Sequence, residues 1–273
     1  MAKILMVGCG DIGSSLAERL ASQGHQVTAV QRNFLTELGD VKTIKADVTE
    51  PRQLAALSFD YDQLVYIVAP STHDISGYKA VFETGVINIL EVLGQQAPNI
   101  QVTFISSTRV YGQRQGEWLN ENSKTEPADE RGKIILAAEK RFLSFNKAST
   151  IVRFSGIYGR SNRLLNKLRE GAEIQQQPSY FTNRIHRDDC IGVLDFLMNK
   201  KIDTGLSQPI YLATDSSPVS QWDLASYLCN KFGYPQPKPR VLKEGSHANK
   251  RLDNMLIREE GYCFKFDGYQ DGY

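Results

Sequence analysis

The stretch KILMVGCGDIG, residues 3–13, decides how this 273-residue chain is read. Residues 3–7 form a short apolar run that fits a strand buried on both faces. Gly8, Gly10 and Gly13 follow with the spacing G-x-G-x-x-G. Ile12, Leu16, Ala17, Leu20 and Ala21 then recur at helical spacing, and Gly24 ends the helix. Strand, glycine turn and helix in that order point to dinucleotide binding. The first glycine permits the tight turn, the second lets the backbone approach a pyrophosphate, and the third lets helix and strand pack closely. The free N–H groups at the helix start face the phosphates. Asp11 and Ile12, inside the same turn, are expected cofactor contacts.

Working outward, strands and helices alternate. QVTAV (26–30) and VKTIKAD (41–47) read as strands, and PRQLAAL (51–57) opens a short helix with proline in its first turn. QLVYIVA (63–69) is a strand ending at Ala69, a further expected cofactor contact. Residues 77–96 read as one long helix with Val81, Val86, Ile89, Leu90 and Leu93 on its apolar face. QVTFISS (101–107), GKIILAAEKRFLSF (132–145) and TIVRFSGIYG (150–159) continue as strand, helix, strand. This rhythm implies right-handed βαβ units and a parallel sheet. The expected fold class is α/β: a Rossmann-type doubly wound parallel sheet with a small C-terminal substrate lobe. After residue 160, helices at 162–171, 188–199 and 220–232 and a strand at 209–213 are separated by polar stretches. The expected division is an NAD(P)-binding domain at 1–160 and a smaller mixed lobe at 161–273, interleaved with the sheet rather than independent. Pro235, Pro237 and Pro239 read as a loop.

Composition narrows the function classes. Lys and Arg number 32 against 31 acidic residues, a net charge of +1, which leaves no electrostatic footprint for nucleic acid or an anionic membrane. No apolar run approaches the ~20 residues a membrane helix needs. The chain enters its first strand without a signal-peptide pattern, so a cytoplasmic location is expected. Cys9, Cys190, Cys229 and Cys263 form no CxxC pair and read as reduced thiols, each a small buried apolar residue. No histidine, cysteine or carboxylate spacing suits a metal.

The end of the second strand bears on cofactor choice. An acid ~20 residues past the glycines holds the ribose diol of NAD. Here the chain reads Gln31-Arg32-Asn33. Arg32 can pair bidentately with a 2′-phosphate, so NADP(H) is expected. The alternative is that Arg32 is a solvated charge and NAD binds without discrimination. Asp47 and Val48 fall where an adenine ring would lie. The alternative for Asp47 is a helix N-cap ahead of Pro51.

With these residues in hand, the chain resembles the extended short-chain dehydrogenase/reductase superfamily, of the NAD-dependent epimerase/dehydratase type. GDIGSSLAERL resembles the cofactor helix, SSTRVYG (106–112) the strand-five segment, LAAEKRFL (136–143) the tail of the catalytic helix, and IVRFSGIYG (151–159) the strand-six segment. NRIHRDDC (183–190) resembles the substrate-lobe turn, and GYCFKFDGYQDGY the family's ending. The resemblance places the substrate-facing hydroxyl at Ser107. It leaves Ser106 tucked against backbone on the cofactor side and makes Tyr111 a packing residue.

Two features depart from that family. The glycine motif is one residue short of G-x-x-G-x-x-G. Alignment on Ala137-Ala138-Glu139 puts the catalytic Tyr-x-x-x-Lys at Arg131 and Ile135. Arginine has no proton to exchange near pH 7, and Lys133 lies ~200° round the helix from the lysine position. Arg131 is the candidate substitute, binding an anionic substrate group, or else a solvated charge. Tyr158 is a pocket candidate or a core aromatic. His186 is a substrate contact or a structural hydrogen bonder. His25, His73 and His247 read as surface residues. The resemblance implies an NAD(P)(H)-dependent oxidoreductase or isomerase acting on a small hydroxyl or carbonyl compound such as a nucleotide sugar. The alternative is a catalytically silent NADP(H)-binding sensor. Helices 77–96 and 132–147 pair across dimers in the resembled family, so a homodimer is plausible; burial of 132–147 inside one chain would leave the same apolar pattern.

Overall fold

Val7 lies level with Val30 on one neighbouring strand and with Tyr66 on the other, and this register sets the geometry of the sheet's functional edge. The computed structural model describes residues 1–33, 38–242 and 248–273. In chain order, the first half carries β1 (Lys3–Val7), α1 (Asp11–Ser22), β2 (Gln26–Gln31), β3 (Lys42–Lys45), α2 (Pro51–Ala55), β4 (Gln63–Tyr66), α3 (Ile75–Lys79), α4 (Gly85–Gln96) and β5 (Gln101–Ser107). Then come β6 (Glu117–Leu119), α5 (Glu130–Phe145), β7 (Thr150–Phe154), β8 (Gly156–Tyr158), α6 (Arg163–Arg169), β9 (Glu173–Gln177), β10 (Phe181–Thr182), β11 (Arg184–His186) and α7 (Arg187–Asp203). The remainder holds β12 (Ile210–Ala213), β13 (Val219–Ser220), α8 (Gln221–Phe232), β14 (Lys238–Val241), β15 (Lys250–Leu252), α9 (Met255–Glu259) and α10 (Tyr269–Gly272).

Seven strands form one sheet in the order β12-β7-β5-β4-β1-β2-β3, and the β5-β4-β1-β2-β3 portion is parallel throughout. The α/β fold with a parallel central sheet is as the apolar runs predicted, because such strands are covered on both faces. The chain resumes on opposite sides of β1, with β2 on one flank and β4 on the other. Crevices that bind ligands in open α/β sheets lie at the carboxyl ends of strands beside such a reversal.

The chain divides into two units. The first comprises Met1–Ser107, Asp129–Arg153 and Ile191–Tyr211; the second comprises Thr108–Ala128, Phe154–Cys190 and Leu212–Tyr273. In the first, α5 is N-capped by Asp129, whose carboxylate accepts the Gly132 N–H at 2.9 Å. Ile134, Ile135, Ala138 and Phe142 of this helix are buried, whereas Leu136 and Leu143 are partly buried and Ala137 is exposed. Phe142 stacks on Phe104 of β5, ring centroids 4.7 Å apart. In the second unit, Leu168 of α6 packs with Leu224, Ala225, Leu228 and Cys229 of α8. Its strands are short pairs: β8 with β11, β9 with β14, β6 with β15, and β10 with β13.

Several sequence expectations are corrected. The single helix at 77–96 is α3, a π-helical turn at Ala80–Thr84, and α4. In this turn the Gly85 N–H donates to the Ala80 carbonyl, five residues back, and the Val81 carbonyl accepts the buried Tyr66 hydroxyl at 2.6 Å. The strand expected at 63–69 stops at Tyr66, and the strand at 150–159 divides at Ser155. The proline stretch includes part of β14. Cys263 is exposed rather than buried; Cys190 and Cys229 are buried, Cys9 is partly buried, and none of the four is in a disulfide. Among the described residues no helix is long and apolar enough to cross a membrane, and no cluster of three His, Cys, Asp or Glu is placed to hold a metal.

Candidate cofactor site

The level ends of β1, β2 and β4 bring Gly8, Gln31 and Ile67 to one edge of the sheet, in the first unit. There they line a cavity of about 460 Å³ with Arg32, Asn33, Asp47, Val48, Ala69 and Val81. The glycine turn is shaped by close approaches. Gly8 has φ +100°, and a Cβ there would sit 2.4 Å from the Ile67 carbonyl oxygen. A Cβ on Gly13 would sit 2.4 Å from the Gly8 carbonyl oxygen, so α1 meets β1 only because residue 13 is glycine. Gly10 is exposed, and a Cβ there would meet no described atom within 4 Å. This open side is where a ligand's phosphates could approach the backbone at the start of α1. Asp11 and Ile12 belong to that turn and, like Gly13, are not among the cavity's lining.

At the end of β2, Gln31 is only 7% exposed, and its Nε2 has no hydrogen-bond partner among the described residues. A buried donor left unpaired is costly. A ligand acceptor in the cavity would satisfy it. Arg32 and Asn33 follow as exposed residues on the cavity wall. Across the cavity, Asp47 Oδ1 accepts the Thr49 N–H at 2.9 Å and the Thr49 hydroxyl at 2.8 Å. Asp47 thus closes its own turn, and the N-cap position of α2 belongs to Glu50. Asn88 Nδ2 donates to the Val48 carbonyl at 2.9 Å and pins this loop. Cys9 also lines the cavity, and burial pushes its thiol up to about 12, so it is a poor nucleophile at neutral pH.

The hydroxyl cluster at the end of β5 is arranged differently from its sequence reading. Ser106 is away from the cavity and turns to a carboxylate rather than to backbone: its hydroxyl donates to Glu139 Oε1 at 2.5 Å. Glu139 in turn accepts Arg153 Nε at 2.9 Å and Nη2 at 2.7 Å, a bidentate pair with side chains 1% and 3% exposed. This buried network was missed by sequence reasoning. The available signal was Arg153, the one charge in the apolar strand TIVRF, which needs a buried acidic partner. Ser107 is partly buried at the strand's last position.

Arg131 and Ile135 take separate roles. Ile135 is 3% exposed, in the core. Arg131 is partly buried, its guanidinium 5.7 Å from the ring centroid of Tyr78, so it is neither fully solvated nor in the cavity lining. Lys133 is exposed and pairs with Glu130 at 3.4 Å.

In the second unit, Tyr158 is buried, stacked on Tyr273 and edge-on to His186. His186 Nδ1 accepts the Asp188 N–H at 3.2 Å, and burial pushes its imidazole below the ordinary value. Tyr111 donates its hydroxyl to the Asn120 carbonyl at 2.9 Å. His25 is not a free surface residue: its ring nitrogens meet the Ala2 N–H at 3.2 Å and Asn199 Oδ1 at 3.1 Å. His73 is exposed, and His247 lies outside the described residues.

A family model described as the NAD dependent epimerase/dehydratase family matches residues 4–197. Among solved structures, a provisionally assigned NAD-dependent epimerase/dehydratase from Methylobacillus flagellatus is 35% identical, with a TM-score of 0.83 over 100% of this chain and 96% of that one. A conserved protein of unknown function from Silicibacter pomeroyi is 25% identical, with a TM-score of 0.77 over 100% and 96%. The dTDP-glucose 4,6-dehydratase of Bacillus anthracis, solved in complex with NAD, shares the fold at 16% identity and a TM-score of 0.79, over 100% and 94%. No curated protein matches.

Proposed function

The chain belongs to the NAD-dependent epimerase/dehydratase family, and from that premise we propose that it binds NADP(H) and works as an oxidoreductase or isomerase on a small hydroxyl or carbonyl compound, a nucleotide sugar being the favoured class. The observation that carries the reading is the glycine-turn cavity with a buried, unpaired Gln31 amide and Arg32 where a ribose-binding acid would stand. Gly8, Gly10 and the start of α1 would hold the pyrophosphate. Gln31, Arg32 and Asn33 would hold the ribose and its 2′-phosphate, and Asp47 and Val48 would flank the adenine. The bound nicotinamide would supply or accept a hydride. Ser107 would orient the substrate oxygen, and Arg131, in place of the expected tyrosine, would hold an anionic substrate group rather than move a proton. The dehydratase from Bacillus anthracis, solved with NAD, supports a nicotinamide cofactor and a nucleotide-sugar substrate; the preference for NADP(H) rests on the end of β2.

The test is direct. NADPH and NADH are titrated against the protein by cofactor fluorescence, and NADPH-loaded protein is then screened against nucleotide sugars and simple carbonyls by absorbance. Micromolar NADPH binding with turnover that Ser107→Ala reduces at least tenfold is expected. Tight NADPH binding without turnover on any substrate would leave a cofactor-binding sensor instead. Absence of binding to either nucleotide would end the proposal.

A further inference from the structure

Away from the cofactor cavity, the second unit buries a polar cluster that the proposed chemistry does not use. Asp215 is 0% exposed. Its Oδ1 accepts the Ser217 N–H at 3.1 Å, and its own N–H donates to the Arg184 carbonyl at 2.7 Å. Its Oδ2 has no partner among the described residues. Arg184 has one nitrogen in the same condition: Nε is buried and unpaired, while Nη1 donates to the Tyr273 hydroxyl at 2.9 Å.

Residues 268–273 pack against this cluster through Arg184 and the neighbouring Tyr158. The Tyr273 ring lies parallel to that of Tyr158, centroids 4.6 Å apart at 10°. Tyr158 donates its hydroxyl to the Gly268 carbonyl at 3.3 Å. A Cβ on Gly272 would sit 2.4 Å from the Tyr158 hydroxyl oxygen, so the segment lies directly against that ring. Lys231 Nζ donates to the Tyr273 carbonyl. The preceding residues are anchored differently. Asp189 is fully buried and accepts the Tyr262 hydroxyl at 2.8 Å and the N–H groups of Lys265 and Phe266 at 2.8 and 2.9 Å. Residues 262–266 are therefore held by a satisfied carboxylate, and residues 268–273 pack on Tyr158 and Arg184, next to an unsatisfied one.

We propose that residues 268–273 form a proton-controlled strap over Asp215, closed while that carboxyl carries its proton and loosened when it ionises. A neutral carboxyl can stay dry with one oxygen unpaired far more readily than a carboxylate can. The groups facing Asp215 do little to hold a negative charge. Asp189 and Asp267 repel it, Arg184 alone attracts it, and Tyr158, Tyr269 and Tyr273 are neutral phenols whose own ionisation Asp215 opposes. Burial pushes the Asp215 carboxyl from the ordinary 3.8 up to about 7; the Ser217 N–H and Arg184 oppose that rise, and Asp267 and Asp189 add to it.

The direction of the pH dependence follows. Lifting the strap wets the carboxyl and returns it toward its ordinary value. Between about pH 4 and 7 the closed form then holds a proton that the open form has lost, and closure weakens by up to about tenfold per pH unit. Above that window both forms are ionised, and the dependence levels off with the strap at its weakest.

Hydrogen exchange of the full chain, read by mass spectrometry on peptides from 262–273 between pH 5 and 8, tests this. Rates are corrected with an unstructured reference for base-catalysed exchange. Protection of 269–273 is expected to fall by up to about tenfold per pH unit up to pH 7 and then to plateau. In Asp215→Asn it should be flat, and the α8 amides of Leu224 to Cys229 should show no such trend in either protein. Equal slopes in both proteins, or a flat wild type, would overturn the strap. Should Asp215→Asn fail to fold, carboxyl-carbon resonances decide. The wild-type Asp215 midpoint is expected near 7 and should drop in Tyr273→Ala; a wild-type midpoint near 4 sinks the idea. No arm depends on cofactor binding or turnover.

Discussion

At the end of β2, neighbouring side chains offer opposite things to a ligand. Gln31 is buried and offers an unpaired N–H, whereas Arg32 is exposed and offers a charge. On the proposed reading, only the second would distinguish a 2′-phosphate from a 2′-hydroxyl. A hydrogen bond to a charged group contributes about 1.5–3 kcal/mol, so Arg32→Glu should weaken NADPH by roughly 10- to 100-fold. The new carboxylate adds repulsion toward the phosphate but can accept from a ribose hydroxyl, so NADH should change by less than about threefold. Parallel titrations of both nucleotides check this, and equal losses would show that Arg32 does not read the phosphate. The residue scale also shows why Ser106 was misread. Its partner Glu139 is 33 residues away and is itself held by Arg153, so no local pattern could announce the bond.

Among the elements, the broken helix before β5 is the most instructive. Apolar spacing marks 77–96 as helical but cannot show that the Tyr66 hydroxyl claims the Val81 carbonyl. Val81, in the π-helical turn, lines the cavity, and Gly85 lies against Tyr66 and Val48. A Cβ on Gly85 would lie 2.6 Å from the Tyr66 hydroxyl oxygen and 2.7 Å from Val48 Cγ2. Gly94, on the same helix, is exposed, and a Cβ there would meet no described atom within 4 Å. The same substitution should therefore have opposite signs. Helix propensity favours alanine by about 0.5–1 kcal/mol, and at Gly94 nothing opposes it. At Gly85, overpacking of about 1–3 kcal/mol outweighs that gain. Urea midpoints should rise in Gly94→Ala and fall in Gly85→Ala, which should also bind NADPH more weakly because Val48 lines the cavity. A stabilised Gly85→Ala would mean that Val48 and Tyr66 yield without cost.

For the whole molecule, legibility in the sequence followed the range of the interactions. β1, the glycine turn, α1 and β2 could be read because each is specified by neighbours within a few residues: an apolar run, three glycines, a 3.6-residue period. The paired strands of the second unit could not. β6 and β15 are three residues each, and Glu117 pairs with Lys250 across 133 positions. The Asp215 cluster was equally hidden, assembled from residues 158, 184, 215 and 273. The cofactor cavity belongs to the legible part, since all its lining residues fall in the first unit. That placement makes a prediction about where ligand binding is felt. Ligand at one hundred times its Kd stabilises the state it binds by about 2.7 kcal/mol. With NADPH at that excess, exchange protection should rise at the glycine turn 8–13, at 46–49 and at 67–71, the loops that frame the cavity. The α8 amides around Leu224 and Leu228, in the other unit's core, should gain least. In Arg32→Glu the same NADPH concentration would be only about 1 to 10 times the weakened Kd, so the gain at the three loops should shrink to about 0.4–1.4 kcal/mol. Gains confined to α8, with those loops unchanged, would move the nucleotide site out of this cavity altogether.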